Sequence, residues 1–335
     1  MKRFFINLTV IGLIAMMFAS CGKDVIENPL EGAETFTVKL GLGGEFNVDY
    51  EEMTKVSGDD LYGIQVYSTP DIEGETTLTP FAYGLFDDPT SIEITLLKGY
   101  RYKFVATLVR DGKNKVLSYN NEYSTPFFVH GTEYGRCEAN NSFSYDATKK
   151  MNGLDKGNTS YDVNRDYDRP NTDRFYGELE GFVPGNNNTN AVIKLKRVSY
   201  GAKFIAQGNL ANSGKLEVLM TESPSFEFAL TNGEEDDIYS DIYTFSNVYA
   251  AWNSTEESIY SETVTTTVNW YRADGTVVPL GSHDITFKRN TNTIITVKIN
   301  SDEVGSGIGF EIEEEPMTDG DRVTIEDGEM TQESN

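Results

Sequence analysis

Histidine and cysteine are scarce: two of each in 335 residues. Zinc centres built from those side chains are therefore nearly excluded, since one site would need all four. Basic residues are also few, with 28 Lys and Arg against 53 Asp and Glu and a formal charge of −25. A surface of that sign has no clustered cations for a phosphate backbone, so nucleic acid is excluded as a partner. Electrostatic docking on anionic lipid is disfavoured for the same reason. No stretch keeps a helical period over three turns; Asp237 to Val248 is at most a short helix. No repeat recurs at a fixed spacing, which excludes a solenoid. What is present is 38% hydrophobic and 12% aromatic residues, the composition of a folded chain long enough for two domains.

The N-terminus carries Met1-Lys2-Arg3 and then an apolar run from Phe4 to Phe18. That is the charge layout of a secretory signal and is short for a membrane span. The run ends in Phe18-Ala19-Ser20-Cys21, which resembles a bacterial lipobox with Phe where an aliphatic residue is usual. Residues 1–20 are thus expected to be a signal peptide, with Cys21 acylated and the outer membrane reached through that lipid anchor. Residues 21–33 read as a tether, containing Asn28-Pro29 and no periodicity. Lys23 and Asp24 there suit either an export signal or plain solvation. Cys137 has only Cys21 as a possible mate, so the lipidated form has no intramolecular disulfide.

The body alternates with period two. Phe36, Val38, Leu40 and Leu42 share one face of a first strand, Thr35 to Leu42. Tyr62 to Tyr67, Ile92 to Leu96 and Tyr100 to Leu108 follow, the last closed by an Asp111-Gly112 turn. Further strands centre on Leu216-Val218-Met220, Phe226-Phe228-Leu230, Val264 to Trp270, Ile295-Val297-Ile299 and Ile308-Phe310-Ile312. Short alternating strands between turn signals predict an all-β chain of sandwich or barrel type. The polar stretch Lys149 to Arg169 suggests an interdomain connection, giving domains at 34–160 and 170–315 and an acidic tail at 316–335. Within that tail Val323 and Ile325 still alternate, as in a strand without a sheet.

Chemistry-bearing constellations are sparse. His130 and His283 have no nucleophile beside them in the sequence. Cys137 is expected to be a small buried residue. Gly41 to Gly44 precedes no helix and so cradles no phosphate. Asp162 to Asp173 spaces oxygen ligands like a calcium loop but lacks its glycine and its final Glu. The expectation is no enzyme activity, no metal and no cofactor.

Asp59 to Tyr67, Phe81 to Asp88, Ile92 to Leu97, Gly99 to Phe104, Leu195 to Phe204 and Phe287 to Ile299 follow one another in order behind the lipobox. In that order they resemble the fimbrillin family of Bacteroides-type bacteria, lipoprotein precursors of type V pili and related surface adhesins. The resemblance implies two β-sandwich domains of transthyretin-like type in tandem, a surface-exposed place on the outer membrane or in the fimbrium, and adhesion to host or bacterial receptors. It also implies proteolysis after a basic residue in the loop behind the first strand, where Lys55 is the basic residue between Gly43 and Asp60. Loss of the strand bearing Phe36, Val38, Leu40 and Leu42 then opens a groove that another fimbrial subunit fills by strand addition. Ile308, Phe310 and Ile312, or Val323 and Ile325, are the candidate donor residues. The other reading is a surface glycan-binding lipoprotein of a nutrient-uptake system, with Trp252, Trp270 and 19 tyrosines as stacking faces.

Overall fold

A computed structural model describes residues 30–45, 58–162, 165–208, 214–231, 237–299, 309–317, 325–326 and 329–330. Among these the chain is all-β. The first long strands are β1 (Thr35–Gly44), β2 (Leu61–Pro70), β3 (Thr79–Phe86), β4 (Glu93–Leu97) and β5 (Tyr100–Val109). Short strands follow: β6 (Ser118–Tyr119), β7 (Glu122–Tyr123), β8 (Phe128–His130), β9 (Cys137–Glu138), β10 (Phe143–Tyr145), β11 (Lys150–Asn152), β12 (Thr159–Asp162) and β13 (Arg165–Tyr167). Two long strands, β14 (Arg174–Phe182) and β15 (Asn190–Arg197), complete the first half.

These strands form the ladder β10-β3-β2-β5-β14-β15-β1-β4. β14 and β15 pair only where Phe175 and Tyr176 meet Arg197 and Lys196. Val38, Leu40 and Leu42, Ile92 to Leu96, and Ala191 to Leu195 lie in the same apolar cluster as Ile64, Val66, Phe104 and Phe175. The ladder thus folds over at the β14–β15 junction into two layers around one core. Its far ends approach each other, since Tyr145 Oη on β10 accepts the Thr95 N–H of β4 at 2.9 Å.

The second half contains β16 (Ser199–Gly208), β17 (Gly214–Met220), β18 (Phe226–Leu230), β19 (Asp237–Thr244), β20 (Ser261–Arg272), β21 (Val277–Lys288), β22 (Thr291–Ile299) and β23 (Gly309–Pro316). They make two sheets, β19-β16-β22-β23 and β18-β17-β20-β21. The buried faces of Tyr200 to Ala206, Leu216 to Met220, Val264 to Trp270 and Ile295 to Ile299 fill the space between them. Beyond β23, β24 (Ile325–Glu326) and β25 (Glu329–Met330) pair only with each other.

Two expectations are corrected. The boundary at 160–170 is misplaced, because β14 pairs with β5 from Arg174↔Val109 to Phe182↔Tyr102 and β15 pairs with β1. The first sandwich therefore extends to Arg197, and the stretch Lys149 to Arg169 does not link two domains. Its Arg169 bonds Glu222 and Glu262 of the second sandwich, while residues 150–157 lie over the outer face of the first. There the Arg174 guanidinium, fully buried, donates to the carbonyls of Leu154, Lys156 and Gly157 at 3.1, 2.6 and 3.2 Å. Met151 and Leu154 are sunk beneath it. A stretch whose carbonyls are satisfied by one side chain needs few apolar residues of its own, and so reads as a linker. The helix considered over Asp237 to Val248 is strand β19 as far as Thr244, as its aromatic and β-branched residues favour. The helix present is Val248–Asn253, capped by Asn247 accepting from the Ala250 N–H.

Candidate functional site

The strand that carries Phe36, Val38, Leu40 and Leu42 is inserted between β4, antiparallel, and β15, parallel. Its alternation sends Val38, Leu40 and Leu42 into the core, where each is buried, while Phe36 is half-buried and Thr37 and Lys39 face solvent. The walls are Ile92, Ile94 and Leu96 on one side and Ala191, Ile193 and Leu195 on the other, all buried. The ladder is divided along its length. Residues 35–39 pair with β4 and residues 39–44 with β15, and the Leu40 N–H still reaches the Ile92 carbonyl ahead of β4 at 2.9 Å, so the two ladders overlap at Lys39 and Leu40.

The end of β1 is fixed in two ways. Gly44 sits at φ +134°, and a Cβ there would lie 2.0 Å from the Leu195 carbonyl oxygen. Only glycine tolerates that approach. Next to it the Glu45 carboxylate accepts the Arg197 N–H at 2.8 Å and the Arg289 guanidinium at 2.8 and 3.1 Å. Arg289 also donates to the Arg197 carbonyl at 2.9 Å, and Arg197 forks onto Asp173 at 2.9 and 2.8 Å. Glu45 thereby links the exit of β1 to the turn between β21 and β22 in the second sandwich. Nothing in the alternation pattern marks Glu45, because its two arginines lie far along the chain.

Cys21, Lys55, Ile308 and Val323 lie outside the described residues. Phe310 falls in β23 and Ile325 in β24. Ile312 is half exposed on β23, which among the described residues pairs with β22 alone and is the outer strand of its sheet. Cys137 is buried, as expected, and burial pushes its thiol up to about 12. His130 and His283 are exposed and far apart in the fold. Trp270 is buried in the second core, and Trp252 packs edge-on against Tyr176 with ring centroids 5.6 Å apart. Trp270 offers no free stacking face of the kind considered for a glycan. Among the described residues no group of three or more His, Cys, Asp or Glu is placed to hold a metal. No helix among them is long and apolar enough to cross a membrane.

No family model matches the chain, and no curated protein does. Among solved structures it is similar to a candidate cell adhesion protein of Bacteroides eggerthii, at 12% identity and TM-score 0.36, covering 85% of this chain and 96% of that one. A fimbrial assembly protein of Parabacteroides distasonis aligns at 14% identity and TM-score 0.33, with 84% and 96% covered. The tip fimbrial protein Mfa3 of Porphyromonas gingivalis aligns at 11% identity and TM-score 0.31, with 84% and 98% covered.

Proposed function

We propose that the chain is a non-enzymatic, fimbrillin-like surface lipoprotein, a structural or accessory subunit of fimbriae that works by strand exchange and in cell adhesion. The observation that carries this reading is the divided ladder of β1. A strand with one partner at each end gives up fewer backbone hydrogen bonds on leaving than a strand paired on both sides along its length. In this reading Cys21 carries the lipid that holds the precursor on the outer membrane, and both sandwiches are of transthyretin-like type. The loop between Glu45 and Leu61 contains Lys55, the processing position. After a cut there, β1 is no longer covalently joined to β2, and its departure uncovers pockets for four apolar side chains. Refilling each pocket contributes about 1.5–3 kcal/mol before ordering entropy is counted.

A donor from another subunit must present apolar side chains at alternate positions. β23 with Phe310 and Ile312 is one such segment, and Val323 with Ile325 is another. β23 has to leave only one neighbour to serve in this way. The acidic surface keeps uncut subunits apart through like-charge repulsion.

Trimming the purified protein with a Lys-specific protease is expected to give a chain beginning at Val56, followed by heat-resistant ladders on a gel. Deleting residues 316–335 shortens the ladders if the tail is the donor. A product that is cut at Lys55 yet stays monomeric at high concentration overturns strand exchange.

A further inference from the structure

The outer face of the first sandwich, opposite the β1 groove, holds a cavity of about 290 Å³. We infer that this cavity is a binding site for one ring of a neutral saccharide. Its floor comes from alternate residues of β2, β5 and β14, the positions that point away from the core, and the segment following β11 forms one wall. The floor is preorganised. Glu178 accepts from Lys103 at 2.6 Å and from the Tyr176 hydroxyl at 2.5 Å, and Lys103 also reaches Glu180 at 2.8 Å.

The rim is the opposite case. The Tyr67 hydroxyl, the Lys150 ammonium, the Asn152 amide and the Asp155 carboxylate all line the cavity. None of the four makes a side-chain hydrogen bond or ion pair with another described residue. They supply donors and acceptors side by side, which suits hydroxyl groups that must both give and receive. Lys103 and Lys150 balance Asp155 and Glu178, so the lining selects neither an anion nor a cation. The Tyr67 ring and the exposed Leu78 side chain offer apolar surface to the C–H face of a sugar. The volume is near the ~300 Å³ lower bound of small-molecule cavities, which fits a single ring. The mouth is open to solvent, so that ring can be the end of a longer chain.

This inference stands independently of how subunits join. Its test is saturation-transfer NMR on the full chain. The probes are the methyl glycosides of glucose, galactose, mannose and N-acetylglucosamine at millimolar concentration, with glucuronate and free lysine as charged comparators. Transfer to at least one neutral glycoside is expected, with a change in Trp252 emission because that ring packs on Tyr176. Tyr67→Phe and Asp155→Asn should each weaken binding about tenfold by removing one hydrogen-bonding group. Asn152→Ala serves in place of either variant if its melting temperature falls. No transfer to any neutral glycoside, stronger binding of a charged comparator, or affinity untouched by the variants overturns the assignment.

Discussion

β1 and β16 each open a sandwich, and each has an antiparallel neighbour on one side and a parallel one on the other. They differ in how the two ladders overlap. β16 is paired with β19 over 199–206 and with β22 over 201–208, so residues 201–206 are bonded on both sides. β1 has that double bonding only at Lys39 and at Leu40, whose N–H donates to the Ile92 carbonyl at 2.9 Å. The inward faces differ as well: Tyr200, Ala202, Phe204 and Ala206 are all buried in β16, whereas Phe36 in β1 is half-buried. β16 also continues directly from β15, while β1 is separated from β2 by residues 45–60, which include Lys55. Equivalent positions in two sandwiches thus hold one strand bonded on both sides over six residues and one bonded on both sides over two.

The largest expected effects come from emptying the two cores. Phe204→Ala should cost about 3–5 kcal/mol and Leu40→Ala about 2–5 kcal/mol. Denaturant melts monitored at Trp270, in the second core, separate them: Phe204→Ala should shift that transition and Leu40→Ala should leave it in place. A common shift would mean that the sandwiches unfold as one unit and that the contrast between the strands has no energetic counterpart.

Glycine substitutions beside the two parallel partners sharpen the same contrast. A Cβ at Gly44 would meet the Leu195 carbonyl oxygen at 2.0 Å, which is backbone. At Gly201 it would meet Asn292 Oδ1 at 1.6 Å, the tip of a side chain able to rotate away. Gly44→Ala should therefore cost about 1–3 kcal/mol and Gly201→Ala about 1 kcal/mol. Thermal melts of the two variants check the order, and the reverse order contradicts the close approach at the end of β1.

Smaller still is Glu45→Gln. The carboxylate is partly exposed, so loss of its charge at Arg289 should cost about 1 kcal/mol, with amide exchange in β1 accelerated ahead of that in β16. Equal acceleration in both strands would show that Glu45 supports the whole molecule rather than the exit of β1.

The smallest effect is acid sensitivity away from both strands. The Lys113 ammonium and the Asn141 amide hold the Asp87 carboxyl below its usual range. A depressed folded value stabilises above the unfolded carboxylate pKa of about 4, and the gain is lost as pH falls through the folded value. At this exposed site a few tenths of a kcal/mol are involved. Asp87→Asn should flatten the stability profile below about pH 4 by that amount, and a larger change would place an unrecognised network there.

Period-two alternation was enough to locate β1, β5, β17 and β20 to within a few residues, because one buried face requires it whatever the neighbours are. The same alternation also identified the face of Tyr102, Phe104, Ala106 and Leu108 as core. It did not reveal that the opposite face, Lys103 and Val105, is partly covered by residues 150–155, since a polar residue satisfied by a distant partner looks like one satisfied by water. The cavity there went unread for that reason. Strand β19 was taken as a possible short helix because eight residues without their pairing partner fit either period.

By itself the sequence determined the all-β class, the two cores' inward-facing residues and the scarcity of metal-binding side chains, all of which depend on residue type and local spacing. Only the tertiary structure decided that β14 and β15 belong to the first sandwich. The same is true of the division of β1 between two partners, the bonding of Glu45 to Arg197 and Arg289, and the four unpaired polar groups around one cavity. Each of these depends on which segments meet across long separations. Backbone groups pair with any strand that reaches them, so hydrogen bonding leaves no mark in the sequence of who the partner is.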